Sequence, residues 1–174
     1  MIIKFENHKY FTDNECHKMY LTYLNTNDFD DYETLIAMIK NKPYIFDNYP
    51  NNYPNNNPII MWATYKDDFD IVKTLYESGV DIDKKNKAGD NALFWAFDDA
   101  SFKLIKYIIN ISRCDNINNN GENFIEYMNN VDNRFIETKR HKKLKKKIIN
   151  YLIEEQPLKY KNILKTKKIK KFNI

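Results

Sequence analysis

At 174 residues the chain is long enough for one domain or one short array, and with 43% hydrophobic, 15% aromatic and 30% charged residues its composition is that of a folded protein, not a disordered one. Three glycines and five prolines are fewer turn residues than a sheet-rich fold needs, which favours helices on short loops. The net charge of +4 is unevenly placed: residues 139–171 hold 14 Lys or Arg against 2 acids, while the rest holds 14 bases against 22 acids, an asymmetry that points to an acidic partner for the C-terminal segment.

The first eleven residues lack the long apolar core of a signal peptide, and no run of about 18 apolar residues occurs. Cys16 and Cys114 are too far apart to define a disulfide framework. An intracellular, reducing location in cytoplasm or nucleus is therefore expected, with no membrane span and no secretion. Asn, Ile and Lys make up 72 of the 174 residues. All have AT-rich codons, so a single Asn or Lys cluster is weak grounds for function. Residues 15–24 predict a first helix and residues 32–39 a second. Between them, Asp28-Phe29-Asp30-Asp31-Tyr32-Glu33 looks like the start of a calcium loop, but the sixth position is not glycine and the twelfth is not glutamate. A turn running into a helix start accounts for it. His8, Cys16 and His17 lie close together without a C-x-x-C or H-E-x-x-H spacing, so neither a metal nor a cofactor is expected. Residues 40–57 form a long loop rich in Pro and Asn.

The centre of the chain repeats itself at a shift of 33 residues. Trp62-Ala63 falls on Trp95-Ala96, Phe69 on Phe102, Ile71-Val72-Lys73 on Leu104-Ile105-Lys106, Leu75 on Ile108 and Gly79 on Ser112. Each unit predicts two short helices. The first, 58–65 or 91–98, is apolar on most sides and must be covered by neighbours. The second, 69–78 in the first copy, has apolar residues at 69, 71, 72, 75 and 76, the spacing of one buried face. Gly79 is placed to cap that helix with a positive φ, and residues 80–90 leave as an extended connection. Residues 121–128 match the start of a further unit at a shift of 32. Its second helix is delayed by an insertion at about 129–143 and is expected at 145–155. The expected organisation is an array over 12–156 in four units (12–48, degenerate; 57–88; 89–120; 121–156, degenerate with the insertion), followed by a basic helix or tail over 157–174.

The period of 33, the helix–turn–helix, Asp70-Ile71-Val72-Lys73, Gly79-Val80-Asp81-Ile82-Asp83 and Gly89-Asp90-Asn91-Ala92-Leu93-Phe94-Trp95-Ala96 together resemble ankyrin repeats. The Thr-Pro-Leu-His step usual in that family reads Pro58-Ile59-Ile60-Met61 and Asn91-Ala92-Leu93-Phe94 here. That departure predicts weaker helix capping and lower stability per repeat. The resemblance implies an all-α, short solenoid with hairpin-like fingers and a concave face. It also implies a monomeric, non-catalytic scaffold for protein–protein interaction. On that reading the partner-binding residues are Lys84, Lys85, Lys87 and Asp90 in the finger and Tyr65, Phe94 and Phe97 on the first helices. The divergent, Asn-, Ile- and Lys-rich style also resembles ankyrin proteins of large DNA viruses with AT-rich genomes, which implies a host factor as partner.

No phosphate-cradling or nucleophile-elbow motif occurs, so no enzyme is expected. Asn110-Ile111-Ser112 fits a glycosylation site but reads better as a helix end. Trp62 and Trp95 share one repeat column, which favours core or concave-face packing over base stacking. The Lys-rich C-terminal segment supports a second function, a tether to nucleic acid or another anionic surface through residues 139–171. Lys142, Lys143, Lys145, Lys146, Lys147, Lys167 and Lys168 are the candidate anion-binding residues. They are open to three readings: a capping helix with solvated lysines, contact with phosphates, or contact with an anionic membrane surface or targeting by a basic cluster. The scarcity of Arg argues against base-specific readout.

Overall fold

The computed structural model describes residues 11–26, 31–47, 57–130 and 138–165. The predicted features at residues 1–10, 27–30, 48–56, 131–137 and 166–174 lie outside them, and with these Lys167 and Lys168. The described residues form helices α1 (Asp13–Asn25), α2 (Tyr32–Asn41), α3 (Pro43–Asp47), α4 (Ile59–Tyr65), α5 (Phe69–Glu77), α6 (Ala92–Asp99), α7 (Phe102–Ile111), α8 (Phe124–Asn129), α9 (Lys139–Glu154) and α10 (Pro157–Lys165).

The helices stack in two rows. One row runs α1 on α4, α4 on α6 and α6 on α8. In the other, α2 packs on α5 and α7 on α9, and the Phe69 and Tyr107 rings, 5.0 Å apart, join α5 to α7. The rows are held together by α4 against α5 and α6 against α7, and α9 closes the stack on α6 as well as α7. The reason is visible in the sequence pattern. On α5 the residues Ile71, Val72, Thr74 and Leu75 form one buried face, whereas α4 and α6 bury five side chains each. A helix of seven or eight residues is too short to persist alone. It is stabilised by burying side chains such as Ile60, Met61, Phe94 and Phe97, each contributing about 1.5–3 kcal/mol.

The two central units end their second helices differently. Gly79 takes φ +92° after α5, the amide of Val80 donates to Leu75 O at 3.0 Å and that of Gly79 to Tyr76 O at 3.0 Å. This is a Schellman closure, with glycine in the left-handed position. Ser112 holds the same column after α7 but is extended, and the left-handed residue is Cys114, at φ +62°. Carbonyls of Ile109, Asn110 and Ser112 accept instead from Lys159 Nζ of α10, the last two at 2.7 Å.

Several expectations are corrected. Helix capping is not lost: Asn91 Oδ1 accepts from the amides of Leu93 and Phe94, and Asn123 forms a reciprocal capping box with Glu126. Asparagine thus replaces threonine as the cap of α6 and α8, whereas Pro58 at α4, like Asp31 at α2, makes no side-chain cap hydrogen bond. The final long helix begins at Lys139, not at 145, because Thr138 and His141 form a capping box there. The fingers are turns and not paired strands. Asn86 N donates to Asp90 O at 2.9 Å, and the bridge between Ile117 and Asn123 is isolated.

Candidate interaction surface

The fingers are braced from within by asparagine. Asn86 Oδ1 accepts from the amides of Ala88 (2.9 Å) and Asp90 (3.0 Å), and Asn118 Oδ1 accepts from those of Asn120 and Glu122, both at 3.0 Å. Each side chain closes its own turn in the manner of an Asx turn. One finger then docks on the next. Asn119 N donates to Ala88 O (2.9 Å), Asn119 Nδ2 to Lys87 O (2.7 Å) and Lys85 Nζ to Ile117 O (2.8 Å). A Cβ on Gly89 would stand 2.6 Å from Asn119 N, so the close approach needs glycine there.

Asp83 anchors this edge to the helices. It is 7% exposed. Oδ1 accepts from Asn116 Nδ2 (2.8 Å) and Asn91 Nδ2 (3.3 Å), and Oδ2 accepts from Arg113 N and Nε, both at 3.1 Å. Asn91 is also the cap of α6, so the finger and the first-helix row are fixed by one carboxylate.

On the first-helix row, three aromatic rings meet. Trp62 and Trp95 lie 5.5 Å apart at 79°, and Tyr65 is 6.1 Å from Trp62 and 6.2 Å from Trp95. These edge-to-face contacts hold the rings in place. Both indoles are half-buried, and Tyr65 remains 48% exposed. On the second-helix row the surface is cationic. Lys103 Nζ sits 4.3 Å from the centroid of Phe69, and Lys106 Nζ is 4.6 Å from that of Tyr151. Lys106 at 5.9 Å and Lys147 at 5.6 Å flank the ring of Phe102.

The structure separates the sequence candidates into groups. Tyr65 is an exposed anchor, and Lys85 and Lys87 are exposed on the finger. Lys84 pairs with Asp47 at 3.2 Å and also donates to the Asp47 carbonyl at the end of α3, while Asp90 Oδ1 accepts from Asn118 Nδ2 at 3.1 Å. Both are half-buried and hold units together. Phe94 and Phe97 are 0% exposed, which corrects their place on the partner surface. The Phe94 ring packs 4.9 Å from Tyr127 and 6.0 Å from Phe124 of α8, and Phe97 packs 5.4 Å from His141 of α9. The C-terminal elements cover them. Lys142, Lys143, Lys146 and Lys147 are exposed on α9 and Lys145 is half-buried. Trp62, Trp95, Lys103 and Lys106 join these surfaces through contacts between helices; the shift of 33 marks the Trp62/Trp95 column and Lys106, which falls on Lys73, whereas Lys103 falls on Asp70 and carries no such signal.

Two basic residues of the C-terminal segment are used inside the fold. Arg140 donates to the carbonyls of Asp98 (2.7 Å) and Ala100 (2.8 Å) at the end of α6, as Lys159 does at the end of α7. Lys66 likewise donates to Thr26 O after α1. Cations at helix C-termini satisfy carbonyls that lack a helical partner and oppose the negative end of the helix dipole. Among the described residues no group of three or more His, Cys, Asp or Glu could hold a metal ion, and no helix is long and apolar enough to cross a membrane.

A family model described as ankyrin repeats (3 copies) matches residues 60–128, the stretch from α4 through most of α8. No curated protein and no solved structure matches the chain. The described residues form an all-α repeat solenoid, within which residues 60–128 match ankyrin repeats.

Proposed function

With residues 60–128 matching ankyrin repeats, we propose that the protein is a non-catalytic adaptor. It binds a protein partner through the Tyr65–Trp62–Trp95 cluster and the finger lysines Lys85 and Lys87. Ankyrin repeats are in general protein–protein interaction modules. The observation that carries the assignment to this surface is the aromatic cluster, with its exposed phenol backed by two half-buried indoles. Tyr and Trp dominate the binding energy of protein interfaces, and an anchor already held by its neighbours loses little freedom on binding. The array is proposed to reach beyond the matched segment, over residues 12–156 in four units. The packing of α1 on α4 and of α9 on α6 and α7 supports that extent.

The test compares full-length baits in an affinity capture with nuclease present, bound proteins being identified by mass spectrometry. A partner held by the wild-type chain is expected to be lost at least tenfold with Tyr65→Ala and weakened with Lys85→Glu/Lys87→Glu. Thermal unfolding of Tyr65→Ala is expected to stay near wild type, and that of Lys85→Glu/Lys87→Glu to fall slightly, because Lys85 also donates to Ile117 O. Retention unchanged in both variants would reject this surface as the site.

A further inference from the structure

We propose that the outer face of α7 and α9 binds the phosphate backbone of duplex nucleic acid. The surface is a composite that no continuous stretch of sequence contains. From α9 it exposes Lys139, Lys142, Lys143, Lys146 and Lys147, and α7 adds Lys103 and Lys106. Lys106 and Lys147 flank the same Phe102 ring, so the two helices present one cationic field. Helix α7 contains no acid, and the one acid in α9 is its last residue, Glu154. Among the described residues Lys103, Lys106, Lys139, Lys143, Lys146 and Lys147 form no ion pair.

Helix stability does not explain the lysine run of α9. Lys139 and Lys143, Lys142 and Lys146, and Lys143 and Lys147 are like charges one helical turn apart, which destabilise an isolated helix. Where a local rule is broken without structural gain, function is the place to look. A helix of 16 residues spans about 24 Å, and duplex DNA carries one negative charge per roughly 1.7 Å of axis, so a duplex laid along α9 meets the whole field.

Other anionic partners fit less well. Protein interfaces have apolar cores depleted of lysine, and the exposed residues of α9 from Lys139 to Lys147 are all Lys or Arg. An anionic membrane calls for an apolar face beside the charge, but Leu144, Ile148, Tyr151 and Leu152 of α9 are buried in the array. Single strands bind by stacking bases on open rings, whereas Phe69, Phe102 and Tyr151 have lysines over them. The only arginine of α9, Arg140, is engaged at the end of α6, so bidentate reading of base edges is not provided. Binding is therefore independent of base sequence and strongly dependent on salt.

The test is fluorescence polarisation of a labelled 20-base-pair duplex of mixed sequence, titrated with nuclease-free, full-length protein. Expected is a Kd of roughly 1–100 μM at about 0.15 M salt, at least tenfold tighter at about 0.05 M. Lys143→Glu/Lys146→Glu and Lys103→Glu/Lys106→Glu should each weaken binding at least tenfold, while Tyr65→Ala binds as wild type. Should a charge-reversed chain fail to fold, glutamine at the same positions carries the test, with a loss of several-fold expected. Polyglutamate and phosphatidylserine vesicles are the competing probes. The proposal is overturned if the duplex does not bind at low salt, if the α7 pair has no effect, or if either competing probe binds and the duplex does not.

Discussion

Asp83 and Asn116 stand thirty-three residues apart and share a buried hydrogen bond of 2.8 Å. The repeat period thereby becomes a physical contact, because equivalent points of successive fingers lie side by side. The same carboxylate receives Asn91 and both the backbone and side chain of Arg113. Arg113 is itself largely exposed, so its charge adds little. The weight lies on the two asparagine amides. Asp83→Ala leaves both buried without their acceptor and is expected to cost about 2–4 kcal/mol. Asp83→Asn, which keeps one acceptor, should cost less. Urea unfolding measures both. A change under about 0.5 kcal/mol for Asp83→Ala would remove the carboxylate from this role.

Gly79 and Gly89 test two different demands for glycine. Both have positive φ, but a Cβ at Gly79 meets nothing within 4 Å, whereas at Gly89 it collides with Asn119. Gly79→Ala should therefore cost only backbone strain, about 1–2 kcal/mol. Gly89→Ala adds a backbone clash between fingers and should cost about 2–4 kcal/mol. Equal unfolding midpoints for the two variants would contradict the close docking of neighbouring fingers.

The central helices could be read directly from the sequence. Their apolar residues recur at a fixed spacing, and Gly79 marks an end that only a left-handed residue can make. The finger ladder was harder to see. Asn86 and Asn118 do the same work in successive turns, yet in an asparagine-rich chain neither stands out. Phe94 and Phe97 looked like surface because their covers, Phe124, Tyr127 and His141, belong to the degenerate end of the array. In the sequence Arg140 and Lys159 are indistinguishable from the rest of a basic segment. A lysine that meets carbonyls forty-seven to fifty residues away leaves no periodic trace in sequence.

Lys159 carries a prediction of its own. Its ammonium has three donors and meets three carbonyls at the end of α7. Lys159→Ala should cost about 1–2 kcal/mol. It should also fray the last turn of α7 before the rest of the array. Hydrogen exchange at the Ser112 amide, which donates to Ile108 O, should accelerate. The Val80 amide after α5, closed by its own glycine, should not change. Equal acceleration at both sites would mean a global loss of stability and no local cap. Ending the chain at Pro157 removes Lys159 together with the buried Ile163, so such a truncation disturbs the array as well as the basic segment.

The turn between α4 and α5 holds a carboxylate whose titration gives a signed prediction. Asp68 caps α5 through the Ile71 amide at 3.2 Å and accepts from the Tyr23 hydroxyl, also at 3.2 Å. Burial raises its pKa above the usual carboxylate value of 3.8, and these hydrogen bonds only partly offset the effect. The native state therefore holds the proton more tightly than the unfolded chain. Stability falls as pH rises through the interval from about 3.8 to the higher native value, and it is regained on acidification through the same interval. Asp68→Asn retains an acceptor for the Ile71 amide and carries no titrating group. The stability of the wild type relative to Asp68→Asn should accordingly improve between pH 7 and pH 4, as read by urea unfolding at each pH. A difference that stays constant, or moves the other way, would show that the hydrogen bonds from Ile71 and Tyr23 outweigh burial and that the ionised carboxylate is the favoured native form.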